Sequence, residues 1–421
     1  MKKINIGLIG LGTIGEGVYK ILNSRRSEIK KSYGLELNIK SCCDISPNIA
    51  KKLKIKKEYF TNNYNDIVFS KDIDVVIELI GGLKISKDIA IKTLQNNKHF
   101  ITANKALIAE NGTELKKIAK KNNVKILYEA SVGGGIPILN SIQDFISINK
   151  IKSFYGILNG TCNYILTLMS QGIEFNDALE KAQKSGFAEA DPTLDINGMD
   201  TAHKVVVLAN ECFGYNAKIK DLHISGINNI SKIDLEIAKN LNCKIKLIGI
   251  GKVVKNSIDL RIHLVMINQS NPLANVDNEL NAVLIDSENL GKTMKYGFGA
   301  GMLPTATSVI SDIVRIGNQK EHNFIEKKYK NLNISNLNRK FYIRLNLENK
   351  AGNLAKITSK FAKYKINIEK IFQNPENVNS KYVPVIIISK KSNYKVINNL
   401  LSQFDKLSIT NKKSLLIPFE E

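Results

Sequence analysis

Apolar positions in the first third of the chain come in short continuous runs, not in alternation. Ile4–Gly10, Leu37–Cys43 and Asp74–Ile80 read as buried strands, with His99–Thr102 and Val124–Tyr128 as shorter ones. Stretches with helical periodicity separate them, at Ile14 to about Lys30, Ser86–Asn97 and Leu107–Lys121. Strands buried on both faces and spaced by amphipathic helices predict a parallel sheet covered by helices. This α/β region is expected over residues 1–130, completed by a helix at about 303–318.

The pattern changes over residues 131–302. Helices are predicted at Thr161–Ser170, Asn176–Ser185 and Gly198–Cys212, followed by long strand-like runs at Lys244–Lys255 and Ile258–Ile267. That is an α+β arrangement with one antiparallel sheet. A polar stretch rich in Asn and Lys reads as a linker over 319–340. Residues 341–421 begin afresh: strand Phe341–Leu347, helix Asn353–Tyr364, strands Asn367–Phe372 and Tyr382–Ser389, helix Ser392–Phe404, strand Leu407–Leu416. The order βαββαβ is the ferredoxin-like unit.

Composition narrows the class. The 421 residues are 43% hydrophobic and 24% charged, which suits two or three globular domains and excludes a disordered or fibrous chain. No run approaches the roughly 18 to 20 apolar residues of a membrane span. The apolar run after Met1-Lys2-Lys3 is punctuated by Gly and lacks a cleavage pattern, so it reads as a strand of a cytoplasmic protein. The net charge is +22, but only six of the 61 basic residues are Arg, and Lys is spread along the chain. Nucleic-acid readers cluster Arg; here Lys, Asn and Ile abound together, as codons rich in A and T would give. No nucleic-acid partner is expected. Five cysteines, odd in number and without metal-ligand spacing, read as buried thiols in a reducing compartment.

Gly10-Leu11-Gly12-Thr13-Ile14-Gly15 lies between a predicted strand and a helix. Its glycines allow a tight turn, close approach to a pyrophosphate and close helix packing, with the helix N-terminus facing the phosphates. Asp44 ends the second strand, where its carboxylate would bond a ribose 2′-OH; read as structure alone, it would cap the Ser46–Pro47 turn. Thr102-Ala103-Asn104-Lys105 follows another strand, which places Lys105 at the carboxyl edge where such sheets bind ligands. Further on, Glu189, Asp191, Asp195 and Asp200 are followed by Lys204, one helical turn past Asp200. The continuation Val205-Val206-Val207-Leu208-Ala209 is apolar all round, so this Lys belongs to a buried helix lining a cleft.

These residues carry a resemblance. Residues Ala182 to Lys204, including Gly186-Phe187-Ala188-Glu189-Ala190-Asp191-Pro192 and Asp195-Ile196-Asn197-Gly198-Met199-Asp200, resemble the signature of homoserine dehydrogenases. So do Thr102–Ala109, Glu129–Pro137, Leu158–Tyr164 and Tyr296–Gly301, and residues 341–421 resemble an ACT domain. The resemblance implies a Rossmann-type domain, an α+β substrate-binding and dimerisation domain and a regulatory ACT domain, in the form that carries no kinase segment. It implies interconversion of aspartate semialdehyde and homoserine with NADP, in threonine and methionine biosynthesis. Lys204 would move the proton, Lys105 would sit by the same oxygen, and Glu189, Asp195 and Asp200 would hold the substrate. Gly301 joins the loop residues, Asp44, Thr102 and Lys105 as cofactor ligands. Glu129, with the carbonyls of Val132, Gly134 and Ile136, would bind sodium. A homodimer or homotetramer and threonine as feedback effector are further expectations.

Where the family commonly has an Arg before the strand-ending acid, this chain has Cys43. That predicts use of NAD beside NADP, with Lys51 and Lys52 as the nearest cations. Two other readings remain at this level. An aldehyde dehydrogenase would use Cys162 as nucleophile, and a non-catalytic sensor of NAD and an amino acid would not need Lys105 and Lys204 together.

Overall fold

The computed structural model describes residues 2–145, 148–317, 327–373 and 380–420. Residues 319–326 of the expected linker lie outside them, as does position 318 of the expected helix. The chain divides into two compact units, one of residues 1–154, 203–221 and 280–328, the other of 155–202, 222–279 and 329–421.

The first unit is built on six strands, β1 (Lys2–Ile9), β2 (Leu35–Cys43), β3 (Phe60–Thr61), β4 (Val75–Glu78), β5 (His99–Thr102) and β6 (Ile126–Leu127), in the order β3-β2-β1-β4-β5-β6. All pairs are parallel. The order reverses beside β1, which creates the crevice where such sheets take ligands. Ile6, Leu8, Val75, Ile77 and Ile101 are completely buried, as continuous apolar runs covered on both faces must be. Helix Met302–Gly317 packs Ala306, Val309 and Ile313 into the same core as Ile4, Leu8 and Val18. A hairpin, Leu280–Ser287 with Gly291–Phe298, completes this unit.

The single helix expected from Ile14 to Lys30 is two, Thr13–Ser24 and Arg26–Tyr33. The first buries Val18 and Leu22; the second buries only Ile29, so the apolar stripe does not continue along one axis. Helices Pro47–Lys52 and Tyr64–Val68 escaped the sequence pattern because neither is long enough to establish a period.

In the second unit, Cys243–Val254 and Ser257–Asn268 form a long antiparallel hairpin. The final strand, Leu415–Glu420, lies parallel to Ser257–Asn268 and antiparallel to Phe341–Glu348, which pairs with Tyr382–Ser389 and then Ile368–Gln373. With helices Asn353–Lys363 and Tyr394–Phe404 this is the predicted βαββαβ unit, around Phe341, Leu345, Phe361, Ile387 and Phe404. The last strand starts later than expected. Residues Thr410 to Ser414 are polar and turn-forming: Thr410 Oγ1 donates to the Phe404 carbonyl at 2.7 Å and Ser414 N to Asp405 at 2.9 Å. Leu415 and Ile417 are the side chains this region can bury. Asp234, fully buried, accepts from Tyr342 Oη at 2.6 Å and Arg344 Nε at 2.8 Å. Arg261 pairs with Asp259 at 3.0 Å and Glu420 at 2.7 Å.

Candidate active site

The glycine loop leaves β1 through Gly10, whose φ of +92° belongs to glycine. A Cβ on Gly15 would sit 1.9 Å from the Gly10 carbonyl oxygen, so only glycine lets helix Thr13–Ser24 start so close to the turn. No side chain caps that helix, and the Cβ direction at Gly12 meets open space. Leu11, Gly12, Thr13 and Ile14 thus offer a bare helix start that fits an anionic pyrophosphate. Asp44 does two things at once. Its Oδ2 accepts from Leu11 N at 2.8 Å and its Oδ1 from Ser46 N at 2.9 Å, so it fastens the loop and caps the turn. Lys52, one of the two nearest cations named above, reaches Glu16 at 2.8 Å, and Lys20 reaches the same carboxylate at 2.6 Å. Hydrogen bonds from these two lysines hold the Glu16 carboxyl below its ordinary range.

At the next strand ends, Glu78 is the residue that sequence reasoning missed. It is fully buried. Its Oε1 accepts from Ile80 N at 2.9 Å, Gly81 N at 3.3 Å and Ser86 Oγ at 3.0 Å, and its Oε2 from Thr102 Oγ1 at 2.7 Å. Thr102 Oγ1 then accepts from Asn104 N at 2.9 Å, and Asn104 caps helix Lys105–Lys121 by accepting from Leu107 N at 3.0 Å. The start of the Lys105 helix is therefore fixed by a chain that begins at Glu78. The available signal was an acid closing an apolar strand just before Gly81-Gly82. Gly301, with φ of +112°, precedes helix Met302–Gly317 in the same unit.

Glu129 is buried, its Oε1 accepting from Leu139 N at 3.0 Å and its Oε2 from Asn140 N at 2.6 Å. Burial pushes its carboxyl up to about 7 against those hydrogen bonds. Asp312 Oδ2 accepts from Glu129 N at 2.9 Å, while its buried Oδ1 has no hydrogen-bond partner among the described residues. The Gly134 carbonyl accepts from Ser308 Oγ at 2.7 Å and that of Ile136 from Ile138 N at 2.8 Å. Val132 is fully buried nearby in sequence. Two buried carboxylates beside a glycine-rich turn, one with an orphaned oxygen, form a hard-oxygen environment that fits a small cation.

In the second unit, Asn159 brings two of the three acids together. Its Nδ2 donates to Asp195 Oδ1 at 2.7 Å and Asp200 Oδ2 at 2.8 Å, while its Oδ1 accepts from Cys162 N at 2.7 Å and caps helix Gly160–Ser170. Asn159 was visible only as part of a motif, since an amide announces no chemistry of its own. Glu189 lies on an exposed stretch, its carbonyl accepting from Gln183 Nε2 at 3.1 Å. Cys162 is completely buried and its thiol donates to the Asp195 carbonyl at 3.3 Å, which suits a packed residue and not a nucleophile. Asp200 and Lys204, both buried, lie on helix Met199–Phe213, which continues through Val205–Ala209 with almost no exposure.

Comparison with known proteins agrees along the whole chain. A family model described as the homoserine dehydrogenase NAD-binding domain matches residues 10–129, and one described as homoserine dehydrogenase matches residues 137–314. The chain belongs to the homoserine dehydrogenase family. The homoserine dehydrogenase of Neisseria gonorrhoeae is 35% identical over 433 residues, covering 100% of this chain and 99% of that protein. That of Bacillus subtilis is 35% identical, covering 98% and 97%. The crystal structure of a homoserine dehydrogenase from Thiobacillus denitrificans superposes with a TM-score of 0.91 at 34% identity, covering 100% of this chain and 99% of that one. A hyperthermophilic archaeal homoserine dehydrogenase solved in complex with NADPH shares the fold, with a TM-score of 0.65 at 24% identity over 76% of this chain and 99% of its own. The chain is an oxidoreductase with an NAD(P)-binding domain, acting on homoserine or aspartate semialdehyde. Among the described residues, no helix is long and apolar enough to cross a membrane.

Proposed function

We propose that Lys204 transfers the proton and Lys105 fixes the reacting oxygen as aspartate semialdehyde is reduced to homoserine. The observation that carries this reading is a Lys buried to 9% exposure one turn past Asp200, directly before the buried apolar run Val205–Ala209. Bound nicotinamide supplies the hydride chemistry, and the protein supplies alignment and charge. In reduction the Lys204 ammonium gives its proton to the carbonyl oxygen as that oxygen gains charge; in oxidation the neutral amine takes it back. Asp200 and Asp195, gathered by Asn159, bind the substrate ammonium together with Glu189. The loop Gly10–Gly15, Asp44, Thr102 and Gly301 hold the dinucleotide.

Cofactor choice follows from charge. Cys43 offers no guanidinium for a 2′-phosphate, and Lys52 is engaged by Glu16. NADP and NAD are therefore both used. A sodium ion held by Glu129 and the carbonyls of Val132, Gly134 and Ile136 offsets the paired charge of Glu129 and Asp312. Sodium chloride should then raise Tm above that in an equal concentration of tetramethylammonium chloride. The C-terminal βαββαβ unit is an ACT domain that takes threonine at the turn before Gly352, in a cytoplasmic homodimer or homotetramer. Oxidation of NADPH on addition of aspartate semialdehyde tests the activity, and its loss in Lys204→Ala tests the assignment. Near-normal turnover in that variant removes Lys204 from the mechanism.

A further inference from the structure

The two lysines assigned to the chemistry stand on different helices of the first unit, Lys105 at the start of Lys105–Lys121 and Lys204 on Met199–Phe213. Polar side chains tie the two segments together at three places. His203 Nε2 lies 3.8 Å from Glu110 Oε1, and Thr113 Oγ1 donates to Asn216 Oδ1 at 2.8 Å. The third tie is buried: Lys116 Nζ donates to Glu211 Oε1 at 2.6 Å, and the Glu211 side chain is 3% exposed. The same carboxylate accepts from Tyr128 Oη at 2.5 Å and from Gln143 Nε2 at 2.9 Å. Glu211 thus gathers donors from the Lys105 helix, from the residue just before Glu129, and from helix Leu139–Phe145.

Burial opposes a charge at Glu211, yet the Lys116 ammonium and the three hydrogen bonds more than offset it and hold the carboxyl below its ordinary range. It is an anion inside the protein. Apolar packing already holds this helix in place, since Val205 to Ala209 are at most 1% exposed. The driving force for that burial is non-directional. Charge-assisted hydrogen bonds are directional and register-specific. Seven residues are almost two turns, so Glu211 projects from nearly the same face as Lys204, about 10 Å further along.

We propose that Glu211 is a positioning residue that fixes the register of the Lys204 helix against the Lys105 helix, and thereby the place of the Lys204 ammonium. This rests on the reading of Lys204 as the proton donor.

The test uses Glu211→Gln and the double variant Lys116→Met/Glu211→Gln, which leaves no buried charge unpaired. In Glu211→Gln, kcat should fall about tenfold while KM for NADPH and for aspartate semialdehyde stays within about twofold. The basic limb of the kcat profile should move by about half a pH unit or more. In the double variant, Tm should return to near the wild-type value while kcat stays low. Should the single variant fail to fold, the double variant carries the same readouts. The proposal is overturned by wild-type kcat in a folded Glu211→Gln, by a loss confined to KM, or by a double variant in which Tm and kcat recover together. Full activity in Lys204→Ala would instead sink the reading of Lys204, a separate result.

Discussion

The glycine-loop edge of the first unit and the acid-rich stretch of the second are organised by opposite means. At the loop, backbone groups are the working parts, and the acids Asp44 and Glu78 each accept from backbone N–H groups that shape the turns. In the stretch from Phe187 to Asp200, side chains are the working parts, and one amide, Asn159, joins two carboxylates that would otherwise repel. The first design resists most substitutions but not an added Cβ. The second depends on individual side chains and is vulnerable one residue at a time.

The sharpest probe of that contrast is Lys204→Ala, which should lower kcat about a thousandfold while NADPH affinity, read by fluorescence titration, stays within about twofold. Gly15→Ala should do the reverse. The Cβ clash 1.9 Å from the Gly10 oxygen displaces the helix start, and NADPH affinity should fall more than about tenfold, or 1.4 kcal/mol. If Gly15→Ala bound NADPH normally, the backbone account of the loop would fail. Asn159→Ala leaves Asp195 and Asp200 without their shared donor, which should cost about 1–3 kcal/mol, read as a loss of about 5- to 150-fold in kcat/KM for homoserine. A loss appearing in KM for NADPH instead would move Asn159 to the other end of the comparison.

Smaller effects refine it. The ratio of kcat/KM for NADP over NAD should lie below about a hundredfold, or 2.7 kcal/mol. A larger ratio would mean that Lys52 leaves Glu16 for the phosphate. Gly352, at φ of +86°, caps helix Asn353–Lys363. Gly352→Asp adds a negative charge at that turn and should weaken threonine inhibition severalfold, with uninhibited kcat unchanged. Unaltered inhibition would place the effector elsewhere.

Legibility in the sequence followed the same division. The parallel sheet was readable because strands such as Val75–Glu78 are covered on both faces and so run apolar up to the closing acid. The loop was readable because φ and close approach demand glycine. Lys204 stood out because a charge in an apolar helix needs a reason. What was hidden acts through geometry. Glu78 looks like any acid at a strand end, and Asn159 like any polar residue before a helix; only folding brings their donors and acceptors within reach. The strand Gly291–Phe298 was missed for another reason: it is mostly exposed, so its alternation carries little apolar signal.

The place of Leu415–Glu420 has a consequence for how the protein is made. This strand lies between Ser257–Asn268 and Phe341–Glu348, so the stretches of these two strands that face it stay unpaired on that side until residues 415–420 leave the ribosome. Met266 and Ile267, at the end of the hairpin, must wait through some 150 residues of synthesis for their partners on that side. A frameshift or nick that removes only the last few residues should therefore leave that sheet open and prone to aggregation, although every residue assigned to the chemistry is still present.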